Sequence, residues 1–173
     1  MRSPLIAPID SDDLAPDTAA AISRARRSGA LSSTVLPRIW AHRPELADAQ
    51  ITLQSRFYDS AILPGRLLEL VRLRIASINQ CQVCQTARKS VDVSEEDIAC
   101  LSDDDGRFSA SEQAALKFAT ALAADHLSIG GDEIESLLEH FSSEQAVELG
   151  MFAALMVGSG RLAYAFRALE AQQ

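Results

Sequence analysis

Aromatic side chains make up only 5% of the 173 residues, with one tryptophan, two tyrosines and six phenylalanines. Runs of β-branched residues are equally scarce, so the alternating segments that build sheets are missing. The apolar fraction of 47%, rich in alanine and leucine, points instead to an all-α protein. The longest apolar run, Met151 to Val157, falls far short of the roughly 20 residues that cross a bilayer, so no membrane span is expected. Positive charge is in deficit: 16 Lys and Arg stand against 24 Asp and Glu, for a net charge of -8. A surface of that sign repels phosphate backbones, which argues against nucleic-acid binding. The acidic groups, such as Asp10, Asp12, Asp13 and Asp103 to Asp105, read as solvated loops. The opening MRSPLIAPIDSDD lacks the apolar core of a signal peptide, because Pro4 and Pro8 interrupt it and aspartates follow, so the expected location is cytoplasmic.

Cysteine is also sparse. Three thiols, an odd number in a reducing compartment, argue against a structural disulfide framework and leave catalytic, metal-binding or inert roles. A chain of this length buries a core without such staples, and a single domain is expected. No repeat, low-complexity stretch or long linker interrupts it.

Capping and stop signals divide the chain into about eight helices. The first runs from Asp17 to residue 28, with Gly29 ending it. A short segment around Val35 to His42 precedes Pro44, which suits the first position of a helix reaching about Ser60. After a turn at Leu63, Pro64 and Gly65, RLLELVRLRIASI sets a broad apolar face at helical spacing. The next helix opens at CQVC with Asn79 as its cap and is expected to reach about Val91. Ser94 with Asp97 marks a short helix, and Ser109 with Glu112 and Ser142 with Gln145 mark two longer ones. Another short helix runs from Asp132 to about His140. The final helix is apolar on nearly every side from Val147 to Val157, more than one monomeric face requires, and Gly150, Gly158 and Gly160 permit close approach of a neighbour.

The pair Cys81 and Cys84 is the chemical focus. Residues three apart on a helix have Cβ atoms about 5–6 Å apart, and a disulfide needs roughly 3.5–4.5 Å, so a first turn permits redox chemistry with modest adjustment. Bringing a thiol from about 8.5 to about 7 takes roughly 2 kcal/mol of preferential stabilisation of the thiolate. A helix N-terminus supplies typically 0.3–1 kcal/mol of that. Arg88, four residues after Cys84, is the candidate for the remaining positive charge, with Lys89 less direct. Glu69, on the polar stripe of the preceding helix, is the candidate proton acceptor; its alternative is an ordinary ion pair with Arg66 or Arg72. Inert buried thiols also fit an isolated CxxC. A zinc site would need four ligands, and Cys100, His42, His126 and His140 stand singly without matching spacing, so neither a metal nor a bound cofactor is expected. Cys100 reads as core and the histidines as helix-end residues.

The run RLLELVRLRIASINQCQVCQTARKSVDVSEEDI, with WAHRPELADA before it and FSASEQAALKFATAL and FSSEQAVELGMFAALMVGSGRLAYAF after it, resembles the carboxymuconolactone decarboxylase-like and alkylhydroperoxidase AhpD-like superfamily. Glu69, eleven intervening residues and then Cys81 and Cys84 match its pattern. The resemblance implies an all-α, AhpD-like fold around a two-helix hairpin, assembled as a dimer, trimer or hexamer. It places an N-terminal arm and first helix in residues 1–30 and the helical domain in 31–173. It further implies a thiol peroxidase acting on alkyl hydroperoxides, with Cys84 the attacking thiolate, Cys81 the resolving partner and Glu69 the proton acceptor. The reductant would be an external dithiol, such as a lipoyl group, or a peroxiredoxin-type partner. Two positions depart from the pattern. Arg88 stands where the relay histidine is expected, and Val83 stands where some members carry another histidine. Arginine stays protonated near neutrality and cannot relay protons. The lactone decarboxylase branch does not depend on CxxC, and a shared scaffold does not transfer chemistry. The competing reading is a non-catalytic helical oligomer or redox sensor that retains the scaffold.

Overall fold

A computed structural model describes residues 3–102 and 106–168; the acidic group Asp103 to Asp105 lies outside them. Among the described residues there are nine α-helices, two 3₁₀ turns and no strand, as the scarcity of sheet-forming segments predicts. The contacts cluster into two compact units. One takes in the chain through Ser60 and resumes at Arg161; the other is Ala61–Gly160.

In the first unit, α1 (Pro16–Arg27) packs on α3 (Pro44–Asp59), with the short α2 (Val35–Trp40) beside α3. Both long helices begin with proline in the first turn, where its missing N–H has no partner to lose. Gly29, at a φ of 82°, turns the chain out of α1. Ala21, Ile22, Ala25, Ala47 and Ile51 form the core between α1 and α3, and small alanines let these helices approach closely.

The second unit is organised by α4 (Gly65–Ile78), whose Leu67, Leu68, Leu70, Val71, Leu73 and Ile75 are all buried. It packs chiefly on α7 (Ala110–Ala124), and Leu70 and Leu73 join Val93, Leu101, Phe108 and Leu116 in one cluster. The short α5 (Gln82–Thr86) and α6 (Glu95–Ala99) follow α4, and α8 (Gly131–Leu138) lies against α7. The capping boxes expected at Ser94 with Asp97 and at Ser109 with Glu112 are both formed. Ser142 and Gln145 exchange the reciprocal bonds that open α9 (Ser143–Ala165).

α9 is long and apolar enough to cross a membrane by length and composition, which the seven-residue run Met151–Val157 alone did not indicate. Within its own unit it buries Leu149, Phe152 and Ala153, and its Glu148 carboxylate accepts the backbone N–H groups of Ile62 and Leu63. Val147, Met151, Ala154 and Gly158, spaced four, three and four residues apart, remain exposed along one stripe. Of the three glycines in α9, Gly160 is the one closely met: a Cβ there would lie 2.4 Å from the Asn79 side-chain nitrogen. That amide donates long 3.4 Å bonds to the carbonyls of Met156 and Val157. Gly160→Ala is therefore expected to expel the Asn79 side chain and destabilise the protein by about 1–3 kcal/mol. Chemical denaturation checks this, with Asn79→Ala cancelling most of the penalty in a double-mutant cycle.

Candidate functional site

Asn79 caps the end of α4, and the backbone then turns sharply because Gln80 takes a φ of 53°, in the left-handed region. The turn delivers Cys81 to the N-cap of α5, a role assigned above to Asn79. Cys81 and Cys84 are joined as a disulfide, with Cα atoms 5.2 Å apart. Cys84 N–H donates to Cys81 Sγ at 3.2 Å. The two sulfur residues differ in access: Cys81 is fully buried, at 0% exposure, while Cys84 is part-exposed.

α5 does not continue to Val91. It stops at Thr86, and Ala87 is already extended, with ψ at 140°. Arg88 therefore does not share a helical face with Cys84. Its guanidinium donates to both Glu95 oxygens at 3.0 Å and to the Gln85 carbonyl, at the solvent-facing edge of the loop. The reason lies in α4, which offers the chain a better set of partners than a continued helix would.

Arg66, Glu69 and Arg72 recur every three residues along one face of α4 and bind successive points of the segment after α5. Arg66 reaches the Asp92 carbonyl, Asp97 Oδ2 at 2.8 Å and Glu112 Oε1 at 2.8 Å. Glu69 accepts Lys89 N–H at 2.9 Å. Arg72 donates to both Glu69 oxygens, at 2.7 and 2.8 Å, and to the carbonyls of Cys84 at 2.5 Å and Ala87 at 2.7 Å. The Glu69–Arg72 pair is buried, with side chains 1% and 6% exposed. The ion pair weighed as the alternative for Glu69 is thus present, and three of the roughly four acceptor positions of that carboxylate are filled. Arg72, which spacing presented only as a possible ion-pair partner, is the cation that touches the CxxC backbone. Its signal was visible as a positive charge three residues after a glutamate on the polar stripe of an otherwise apolar helix.

Asp97 closes the far end of this stripe. The Arg66 guanidinium bonded to it, helped by the Ser94 N–H, holds its carboxyl down at about 2 from an ordinary 3.8. Among the described residues no group of three or more His, Cys, Asp and Glu is placed to hold a metal ion. Cys100 takes no part in the disulfide and packs at the edge of the Leu70 cluster.

No family model matches this chain, and no curated protein matches it. Solved structures do. The debrominase Bmp8 superposes with a TM-score of 0.79 at 19% identity over 99% of this chain and 94% of its own, in a cysteine-to-alanine variant bound to 2,3,4-tribromopyrrole. Its ligand-free form gives 0.77 at 19% identity over 96% and 95%. A protein of unknown function from Agrobacterium tumefaciens, proposed to be the antioxidant-defence protein AhpD, gives 0.63 at 24% identity over 78% and 94%. At these identities the likeness establishes the fold, which is the all-helical AhpD-like one.

The depressed Asp97 carboxyl makes a stability contribution that is complete above the ordinary value of 3.8 and lost as pH falls toward about 2. Asp97→Asn should therefore lower Tm at neutral pH, with the gap from wild type closing across that acid window; thermal melts at a series of pH values check it.

Proposed function

We propose that the protein is a thiol oxidoreductase that cycles Cys81 and Cys84 between dithiol and disulfide and reduces alkyl hydroperoxides. The observation that carries this reading is the disulfide with unequal access: Cys84 part-exposed, Cys81 fully buried. Cys84 is then the sulfur a substrate meets first. Its thiolate attacks the distal peroxide oxygen, the O–O bond breaks, and the departing alkoxide takes a proton to become an alcohol. Cys84 is left as a sulfenic acid. Cys81 attacks that sulfur, the S–S bond forms and water leaves. An external dithiol of the lipoyl kind, or a peroxiredoxin-type partner, is oxidised in turn and restores both thiols.

Glu69 serves as proton acceptor through the one acceptor position its three donors leave open, and Arg88 contributes positive charge at the loop edge. Ile78 and Val83, part-exposed and near the pair in sequence, favour an organic over an inorganic peroxide, whereas Leu73 is buried in the core. The exposed stripe of Val147, Met151 and Ala154 on α9 suits assembly with further copies. A reducing intracellular compartment fits the need for external dithiol.

Stopped-flow mixing of reduced protein with cumene hydroperoxide tests the reading. Wild type should oxidise far faster than glutathione, and Cys84→Ser should lose that rate; a wild-type rate equal to free thiol would leave the redox-sensor alternative. The same assay with 2,3,4-tribromopyrrole separates peroxide reduction from reductive debromination. Arg88→His should raise peroxide turnover by supplying a group that exchanges protons near neutrality, measured as kcat under saturating dithiol.

A further inference from the structure

We propose that Arg72 is a positioning residue, with Glu69 as its counter-ion, that holds Cys84 within bonding reach of Cys81 and thereby sets the equilibrium between dithiol and disulfide. The inference rests on the dithiol reading above and adds to it a residue that does not itself touch the reacting sulfurs.

A five-residue helix has too few internal bonds to persist by itself. Its last carbonyls have no helical donor because the chain leaves the helix at Ala87. Arg72 supplies donors at 2.5 Å to Cys84 O and 2.7 Å to Ala87 O, so the guanidinium closes α5 from outside. The same guanidinium is fixed on α4 by two bonds to Glu69, and Glu69 grips the Lys89 N–H beyond the helix. Cys84 is thus anchored through its own carbonyl to a rigid, buried pair. Cys81 is held independently, its N–H bonded to Ala76 O at 3.0 Å. With both backbones fixed, Cys81 attacks Cys84 as a neighbour of high effective concentration and pays little ordering entropy at the moment of closure.

Arginine's planar fork is what this geometry demands. Lysine keeps the charge but presents one nitrogen, which cannot span a carboxylate and two separate carbonyls. Arg72→Lys therefore separates charge from positioning.

Full-length wild type and Arg72→Lys are equilibrated with ratios of reduced to oxidised dithiothreitol, and the oxidised fraction is read by alkylation and mass. Arg72→Lys should lower the equilibrium constant for disulfide formation at least tenfold. In peroxide mixing, sulfenic-acid formation should change less than threefold while disulfide closure slows by tenfold or more. A constant within twofold of wild type, even with a lowered Tm, would overturn the proposal and leave Arg72 a purely structural residue. If Arg72→Lys does not fold, the double replacement Arg72→Met with Glu69→Leu removes both buried charges at similar volume, and the same fall is expected of it. Because dithiothreitol titration needs no peroxide, failure of the peroxidase reading leaves this measurement intact. A wild type that resists titration altogether would sink both.

Discussion

One face of α4 governs the site. Arg66, Glu69 and Arg72 bind α5 at Cys84 and the segment after it at Ala87, Lys89 and Asp92, so a loop with little hydrophobic anchorage is laid against a helix by charge-assisted hydrogen bonds. Burying the Glu69–Arg72 pair is tolerable only because nearly every donor and acceptor finds a partner. The rest of α4 explains why the face stays in place: Leu70 and Val71 are completely buried and Leu73 nearly so, which fixes the helix about its axis and leaves the polar stripe one direction in which to point.

Much of the fold was legible in the sequence because its signals are local. The capping boxes at Ser94 and Ser109, the prolines opening α1 and α3 and the glycine ending α1 each depend on residues within a few positions. The Cys81–Cys84 pairing was equally local. What spacing could not show was the competition for α5. Nothing between Gln85 and Val91 forbids a helix, and the segment leaves one because donors on α4, more than ten residues earlier, satisfy its carbonyls. The same tertiary effect turned Arg88 toward Glu95, brought Arg72 to the carbonyls of Cys84 and Ala87, and made Asn79 a helix end where a helix start was expected.

The structural likenesses show how little sequence this arrangement needs. At 19% and 24% identity the helical scaffold persists, because apolar spacing and helix ends tolerate extensive substitution. Chemistry is more demanding, since it depends on a few side chains at one site and not on the scaffold. A debrominase and a protein proposed for antioxidant defence on one scaffold illustrate that division.

The seating of Asn79 in the notch left by Gly160 has a mechanical consequence. A single residue separates that anchor from Cys81, so the inner sulfur is tied to α9 as well as to the end of α4, whereas the outer one hangs from the middle of α4. The S–S bond is then a strut between two suspensions. Making or breaking that bond would alter how firmly the two helices are braced.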